Sequence, residues 1–285
     1  MTAASLEKSA PAGRRRRRPW RVTDVLSLAW LIALIGGMLV LPAVLRLDPE
    51  TMSVPDKFAG LSARHLLGAD NYGRDMFARA HFGARISVLI GFGSVTAAAV
   101  IGVPLGMLAG YLRGRLDAAI TFVVDIVLAF PGLILALGLA AFLGSSVTNV
   151  MIAITVPMVP VFVRLSRAQT MSVGGREYVE ASQVIGTPMR SILWRDVLPN
   201  IREAVLSFAL VSIGGAVLIE GGLSFLGIGV PQTTVTWGSM INAGRDYITD
   251  HPSLIAIPSL FMLLTILSLN LLSDRYMAQQ AGGGR

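Results

Sequence analysis

A chain of 285 residues with 53% hydrophobic and only 14% charged residues, and a mean hydropathy of +0.66, lies outside the composition of soluble domains and reads as an integral membrane protein. Its net charge of +7 and pI near 10.5 would suit a nucleic-acid binder, but the excess is concentrated in Arg14 to Arg18, with Lys8 and Arg21, ahead of the first apolar stretch and without RNA-stacking aromatics. Zero cysteines exclude disulfides, thiolate metal sites and a cysteine nucleophile.

Residues 1–21 form a basic tail that the positive-inside rule places in the cytosol. Val25 to Leu45 is free of charge, long enough to cross about 30 Å of hydrocarbon and too long for the apolar part of a signal peptide. A retained first span is therefore predicted within 22–45. The charged segment 46–85 follows on the outer side. His65 and His81 with Asp70 and Asp75 lack the spacing of a metal site and read as solvated loop residues, so no metal is expected.

Five further helices are predicted within 86–272. Ile86 to Leu112 carries Gly102, Gly106 and Gly110 at four-residue intervals, a stripe that lets another helix approach closely, and Pro104 is expected to kink it. A basic turn, Arg113-Gly114-Arg115-Leu116-Asp117, leads to a third span from Ala118 to Leu143. Val147 to Val163 makes a fourth, interrupted by Pro157 and Pro160.

Residues 164–203 return to the cytosol with six arginines against four acids. Here Tyr178, Ala181, Ser182 and Ile185 share one face of a short amphipathic helix, with Glu177, Glu180 and Gln183 on the others. Gly186 stops that helix and Thr187-Pro188 starts a second one. Met189, Ile192, Leu193 and Val197 form its apolar face, Arg190 and Arg195 its polar one, and Leu198-Pro199 is expected to end it. Helix, glycine turn and helix make a compact knob suited to docking. Ala204 to Gly229 is the fifth span, with Glu220 in a glycine-rich setting, and Leu254 to Leu272 the sixth. The tail 273–285 ends inside, so both termini are cytosolic. The fold class is an all-α integral membrane protein of about six transmembrane helices, with a cytosolic loop between spans four and five.

No catalytic constellation emerges. The two lysines, Lys8 after Glu7 and Lys57 after Asp56, cannot serve a phosphate-binding loop, which needs Gly-Lys-Ser/Thr, so any ATP hydrolysis belongs to a partner. Asp125 and Glu220 are carboxylates within or near apolar spans, where a charge costs about 2.5–3.5 kcal/mol. Each reads either as a pathway residue or as a partner for an arginine or backbone donor in a neighbouring helix. A self-sufficient, ion-coupled secondary transporter using these two carboxylates is the alternative reading, against which stand the absence of an inverted hydropathy repeat and the unexplained cytosolic loop.

Glu180-Ala181-Ser182, Gly186 and Leu198-Pro199 resemble the Glu-Ala-Ala, Gly, Leu-Pro loop of the membrane subunits of bacterial binding-protein-dependent ABC importers, with Ser182 for the second alanine and Asp196 where isoleucine is usual. His65-Leu66-Leu67-Gly68-Ala69-Asp70 through Gly73-Arg74-Asp75, Gly83-Ala84-Arg85, Asp125 before Leu128-Ala129-Phe130-Pro131, and Leu223 to Val230 with Trp237-Gly238-Ser239-Met240 resemble the dipeptide, oligopeptide and nickel subfamily. The resemblance spans about His65 to Asn270. It implies a permease that forms the pore in the bacterial cytoplasmic membrane, with two ATPase subunits that use ATP and Mg, a second homologous permease, and an extracytoplasmic substrate-binding protein. It also implies that Glu177, Tyr178, Glu180, Ala181, Ser182, Gly186, Leu198 and Pro199 couple to the ATPase. This chain itself is expected to bind no cofactor.

Overall fold

The computed structural model describes residues 20–44 and 48–281; the arginine run, Lys8, Arg46 and residues 282–285 lie outside the described residues. The described residues are mostly helical, apart from segment 48–75 and the loop 226–236, and include no strand beyond an isolated bridge, Ala69 to Asp75. Five helices are long and apolar enough to cross a membrane, and a bent pair supplies a sixth crossing if counted as one.

α1 (Val22–Val44) begins where the Asp24 carboxylate accepts the Arg21 N–H at 3.0 Å. It lies along α10 (Ser253–Ala281), tied there by Arg275 Nη1 to Asp24 at 2.5 Å and by Trp30 Nε1–H donating to Thr265 at 3.1 Å. α1 lies within the predicted 22–45, whereas α10 outruns its predicted window of Leu254 to Leu272. α10 continues through the predicted polar tail as far as Ala281, because its ion pair and hydrogen bonds do not depend on apolar composition.

α2 (Met76–Leu112) starts ten residues ahead of the predicted Ile86, inside the segment read as an outer loop. The cause is Asp75, whose side chain accepts the Ala78 N–H at 2.7 Å and caps the helix. The charges that mark 76–85 as loop in the sequence are met by partners: Arg79 donates to the Pro49 carbonyl at 2.9 Å and lies near Asp70 and Glu50, His81 bonds the Phe77 carbonyl, and Arg85 reaches the Met38 carbonyl.

The glycine stripe of α2 packs on α5 (Val147–Gly174). A Cβ at Gly102 would lie 2.8 Å from the Val159 carbonyl oxygen, and one at Gly110 would lie 2.6 Å from that of Arg167. Pro157 and Pro160 do not interrupt α5, and Pro104 does not break α2. Pro157 and Pro160 are buried, and packing between the helices outweighs the lost backbone bonds. The third predicted span is two helices, α3 (Gly114–Leu128) and α4 (Gly132–Leu143), bent by 82°. Pro131 explains the break, since it lacks an N–H and disfavours helix at Phe130.

After α5 come α6 (Glu177–Val184), the single turn α7 (Met189–Ser191), a π-helical turn over Ile192–Val197, and α8 (Leu198–Phe225). α9 (Trp237–Gly244) then folds back into the bundle on the side opposite α6, opened by a capping box between Thr236 and Ser239.

Candidate functional site

α5 delivers the chain to the knob through Gly174-Gly175, and α6 is held by one buried side chain. Val179 is fully buried with Val173, Ile192, Leu193 and Val197. The face predicted from spacing, Tyr178, Ala181, Ser182 and Ile185, is not the buried one: Tyr178 and Ile185 are 42% and 80% exposed, Ala181 is exposed, and Ser182 is half-buried with its hydroxyl donating to the Tyr178 carbonyl at 3.0 Å; Val184 beside them is 87% exposed. The face that satisfies the fold is thus narrower than the apolar pattern. Glu177 and Glu180 sit exposed in the first turn, where the helix dipole favours acids. Gly186 adopts φ +79 and donates to the Gln183 carbonyl at 3.0 Å, while Thr187 donates to Ser182 at 3.0 Å, closing the C-terminus of α6.

Leu198-Pro199 does not end the second helix of the knob. Leu198 is helical, and its N–H reaches five residues back to the Leu193 carbonyl. The widened π-turn absorbs the register change ahead of Pro199, which takes an early position in α8 where a missing N–H costs least. From Met189 to Phe225 the chain is therefore one helical rod of 37 residues, about 56 Å at 1.5 Å per residue and so longer than a bilayer core of about 30 Å. Trp194, 55% exposed, adds to Tyr178, Val184 and Ile185 as uncovered apolar side chains of the knob. Sequence reasoning missed Val184 and Trp194; their signal was an apolar side chain on the face already assigned as polar.

Glu220 is fully buried in α8. Ser224, one turn along, donates to its Oε1 at 2.8 Å, and Ser87 of α2 donates to its Oε2 at 2.9 Å. Ser87 in turn accepts the Trp237 N–H at 3.2 Å, and the Trp237 indole N–H donates to the Ala80 carbonyl at 3.0 Å. One carboxylate thus joins α2, α8 and α9. The Ser224 contact is legible as an i, i+4 pair; the Ser87 contact, 133 residues away, is not.

Asp125 lies on α3 with its side chain 52% exposed, paired through Oδ1 with Arg164 Nη2 of α5 at 2.6 Å. A second bridge joins the same helices: Arg167 Nε and Nη2 clamp the two oxygens of Asp117 at 2.5 and 2.6 Å, with Thr121 donating to Asp117 Oδ1 at 3.3 Å. The structure brings neither Asp125 nor Glu220 into contact with the other. Among the described residues no group of three acids or histidines forms a metal site.

Residues 102–281 match the family described as binding-protein-dependent transport system inner membrane component. The chain is 37% identical to the di/tripeptide transport system permease protein DppC of Pseudomonas aeruginosa over 87% of its own length and 84% of the relative's. It is 35% identical to the glutathione transport system permease protein GsiD of Pectobacterium atrosepticum, covering 90% and 89%, and 35% identical to the probable D,D-dipeptide transport system permease protein DdpC of Escherichia coli, covering 92% and 88%. In fold it resembles a chain of the MetNI methionine ABC transporter, solved in inward-facing conformations, with a TM-score of 0.59 over 70% of this chain and 94% of that one at 18% identity. The uncovered knob on a bundle of membrane-spanning helices and these matches agree: the chain belongs to the family of inner membrane components of binding-protein-dependent ABC importers.

Proposed function

We propose that the importer to which this permease subunit belongs carries di- and oligopeptides, and that the knob at Glu177 to Pro199 is where its ATPase docks. The peptide assignment is supported by the relatives, whose names share short peptides as cargo. The docking assignment is supported by the knob's uncovered apolar side chains, Tyr178, Val184, Ile185 and Trp194, at the end of a helical rod longer than a bilayer core. Glu177 and Glu180 add an acidic rim, and Ala181 and Ser182 keep the surface low enough for close approach. Gly186 sets the turn between the two helices, and Leu198-Pro199 continues the second one into the membrane.

In this reading the knob and both termini are cytosolic, two ATPase subunits bind ATP and Mg, and this chain binds no cofactor itself. Closure of the ATPase pair pushes on the knob. Because α8 is continuous with the knob, the push reaches the span as rotation or translation of one rod and not as bending of a loop. A second, different permease completes the pore, and an extracytoplasmic binding protein supplies the peptide.

Purification of the tagged chain in mild detergent from its native membrane, with mass spectrometry of what accompanies it, tests the assembly. Recovery of an ATPase and a second permease is the expected outcome, and ATP-dependent uptake of a dipeptide by the reconstituted complex is the expected activity. A chain that is isolated alone and still transports would overturn the docking assignment. An assembled complex that takes up no peptide would overturn the substrate assignment.

A further inference from the structure

The two ion pairs between α3 and α5 differ in a way that structural bracing does not explain. Asp117 and Arg167 are clamped by two contacts, and their side chains are 15% and 32% exposed. Asp125 and Arg164 share one contact, and their side chains are 52% and 58% exposed. Asp125 Oδ2 and most of the Arg164 guanidinium N–H groups find no partner among the described residues. Asp125 lies 11 residues beyond the start of α3, about 16 Å along its axis, and Arg164 lies 10 residues before the end of α5, about 15 Å. Hydrogen-bonding capacity of this kind, on helices that belong to candidate membrane spans, is costly against lipid, where each unsatisfied charged group costs several kcal/mol. α3 buries only Val124, and the apolar groove of about 510 Å³ at the seam of α2, α3 and α5 is lined by neither Asp125 nor Arg164, so the pair lies outside it.

We infer that Asp125 and Arg164 form a charge-exchange point on the wall of the transport route, the carboxylate meeting the ammonium of a passing peptide and the guanidinium its carboxylate. The inference rests on the peptide reading above and adds the residues and the recognised chemistry. When the route is empty the two side chains neutralise each other, so no isolated charge is left at bilayer depth. A zwitterionic peptide offers the same pair of charges in opposite sense and replaces the single contact with two, using the vacant Oδ2 and guanidinium N–H groups. The Asp117 and Arg167 clamp keeps α3 registered on α5 while that exchange takes place.

The native chain contains no cysteine, so single cysteines report without background. Phe122→Cys and Val161→Cys each lie three residues from one member of the pair and thus on its side of the helix, while Leu39→Cys on α1 marks an exposed apolar position far from it. In the full complex in proteoliposomes, a membrane-impermeant charged thiosulfonate labels the first two and spares the third if the pair faces the route. Labelling of the first two only by a lipid-soluble maleimide, or by neither reagent because a second chain covers them, overturns the inference.

Uptake of an unmodified dipeptide supplies the second arm. Asp125→Asn and Arg164→Gln each lower the uptake rate about tenfold. The exchanged double variant Asp125→Arg with Arg164→Asp keeps the tie between α3 and α5, yet stays low; recovery to the wild-type rate overturns the inference in favour of a brace. If the exchanged variant does not assemble with its partners, the labelling pattern decides alone. Absence of peptide uptake by the wild-type complex would count against the peptide reading instead, and the labelling would still report whether the pair faces water.

Discussion

Gly186 sits at φ +79 with no atom within 4 Å of where a Cβ would be built, so substitution there meets backbone strain and no clash. Replacement by Val costs about 2 kcal/mol in the turn and shifts α6 relative to α8, whereas Asn, which tolerates the left-handed region, costs less. ATPase activity of the complex is expected to become uncoupled from uptake in Gly186→Val while membrane insertion is unchanged; equal coupling in Val and Asn variants would refute the role of this turn. At Glu220 the outcome depends on what is left behind. Glu220→Ala strands the buried Ser87 and Ser224 hydroxyls and lowers stability by about 3 kcal/mol, and Glu220→Gln, which retains an acceptor, costs less; thermal melts in detergent read the difference. In segment 48–75 the Ser53 hydroxyl, followed by the Arg64 guanidinium, holds Asp56 below its ordinary 3.8. The stabilisation is present above that value and is lost as pH falls through the lower folded value, so protease protection of the segment should persist in mild acid and disappear first in strong acid, and Asp56→Asn should flatten that dependence. Residue identity alone marked Gly186 and Glu220 as exceptional. It did not say that open space surrounds the glycine or that a serine 133 positions away meets the carboxylate.

Between elements, the closest seam is that of α2 on α5, and its glycines were legible because a four-residue repeat puts them on one helix face. Gly106→Leu would drive its side chain into Ser166 and the Val163 carbonyl and is expected to destabilise by about 3 kcal/mol or more, with loss of assembled protein on size exclusion. Gly138→Ala in α4, where a Cβ meets nothing, serves as the neutral comparison. Proline was the less reliable guide. Pro131 breaks a span, whereas Pro104, Pro157, Pro160 and Pro199 lie within continuous helices. The same ring has opposite effects because a helix lined by packed neighbours or preceded by a π-turn tolerates a lost hydrogen bond that α3, with only Val124 buried, does not.

At the scale of the whole molecule, two of the settings in which the described residues expose apolar surface differ in kind. That of α1 and α10 belongs in lipid. That of Tyr178, Val184, Ile185 and Trp194 belongs to the knob proposed above as the ATPase docking surface. Ile185→Asp, at one of these exposed positions, leaves the buried Val179 anchor intact, so the subunit is expected to insert and fold while co-purification of the ATPase falls at least about tenfold; undiminished recovery would place the ATPase elsewhere. By itself the sequence determined the membrane class, the helical fold and the position of the knob, because these depend on composition, on apolar length against bilayer thickness and on the local rules of helix stops. Tertiary structure alone decided where helices outlast their apolar windows, which prolines bend the chain, which face of α6 is buried, and that Asp125 pairs with Arg164 while Glu220 joins α2 to α9. Those outcomes depend on contacts between residues far apart in the chain, for which neither periodicity nor propensity carries a signal.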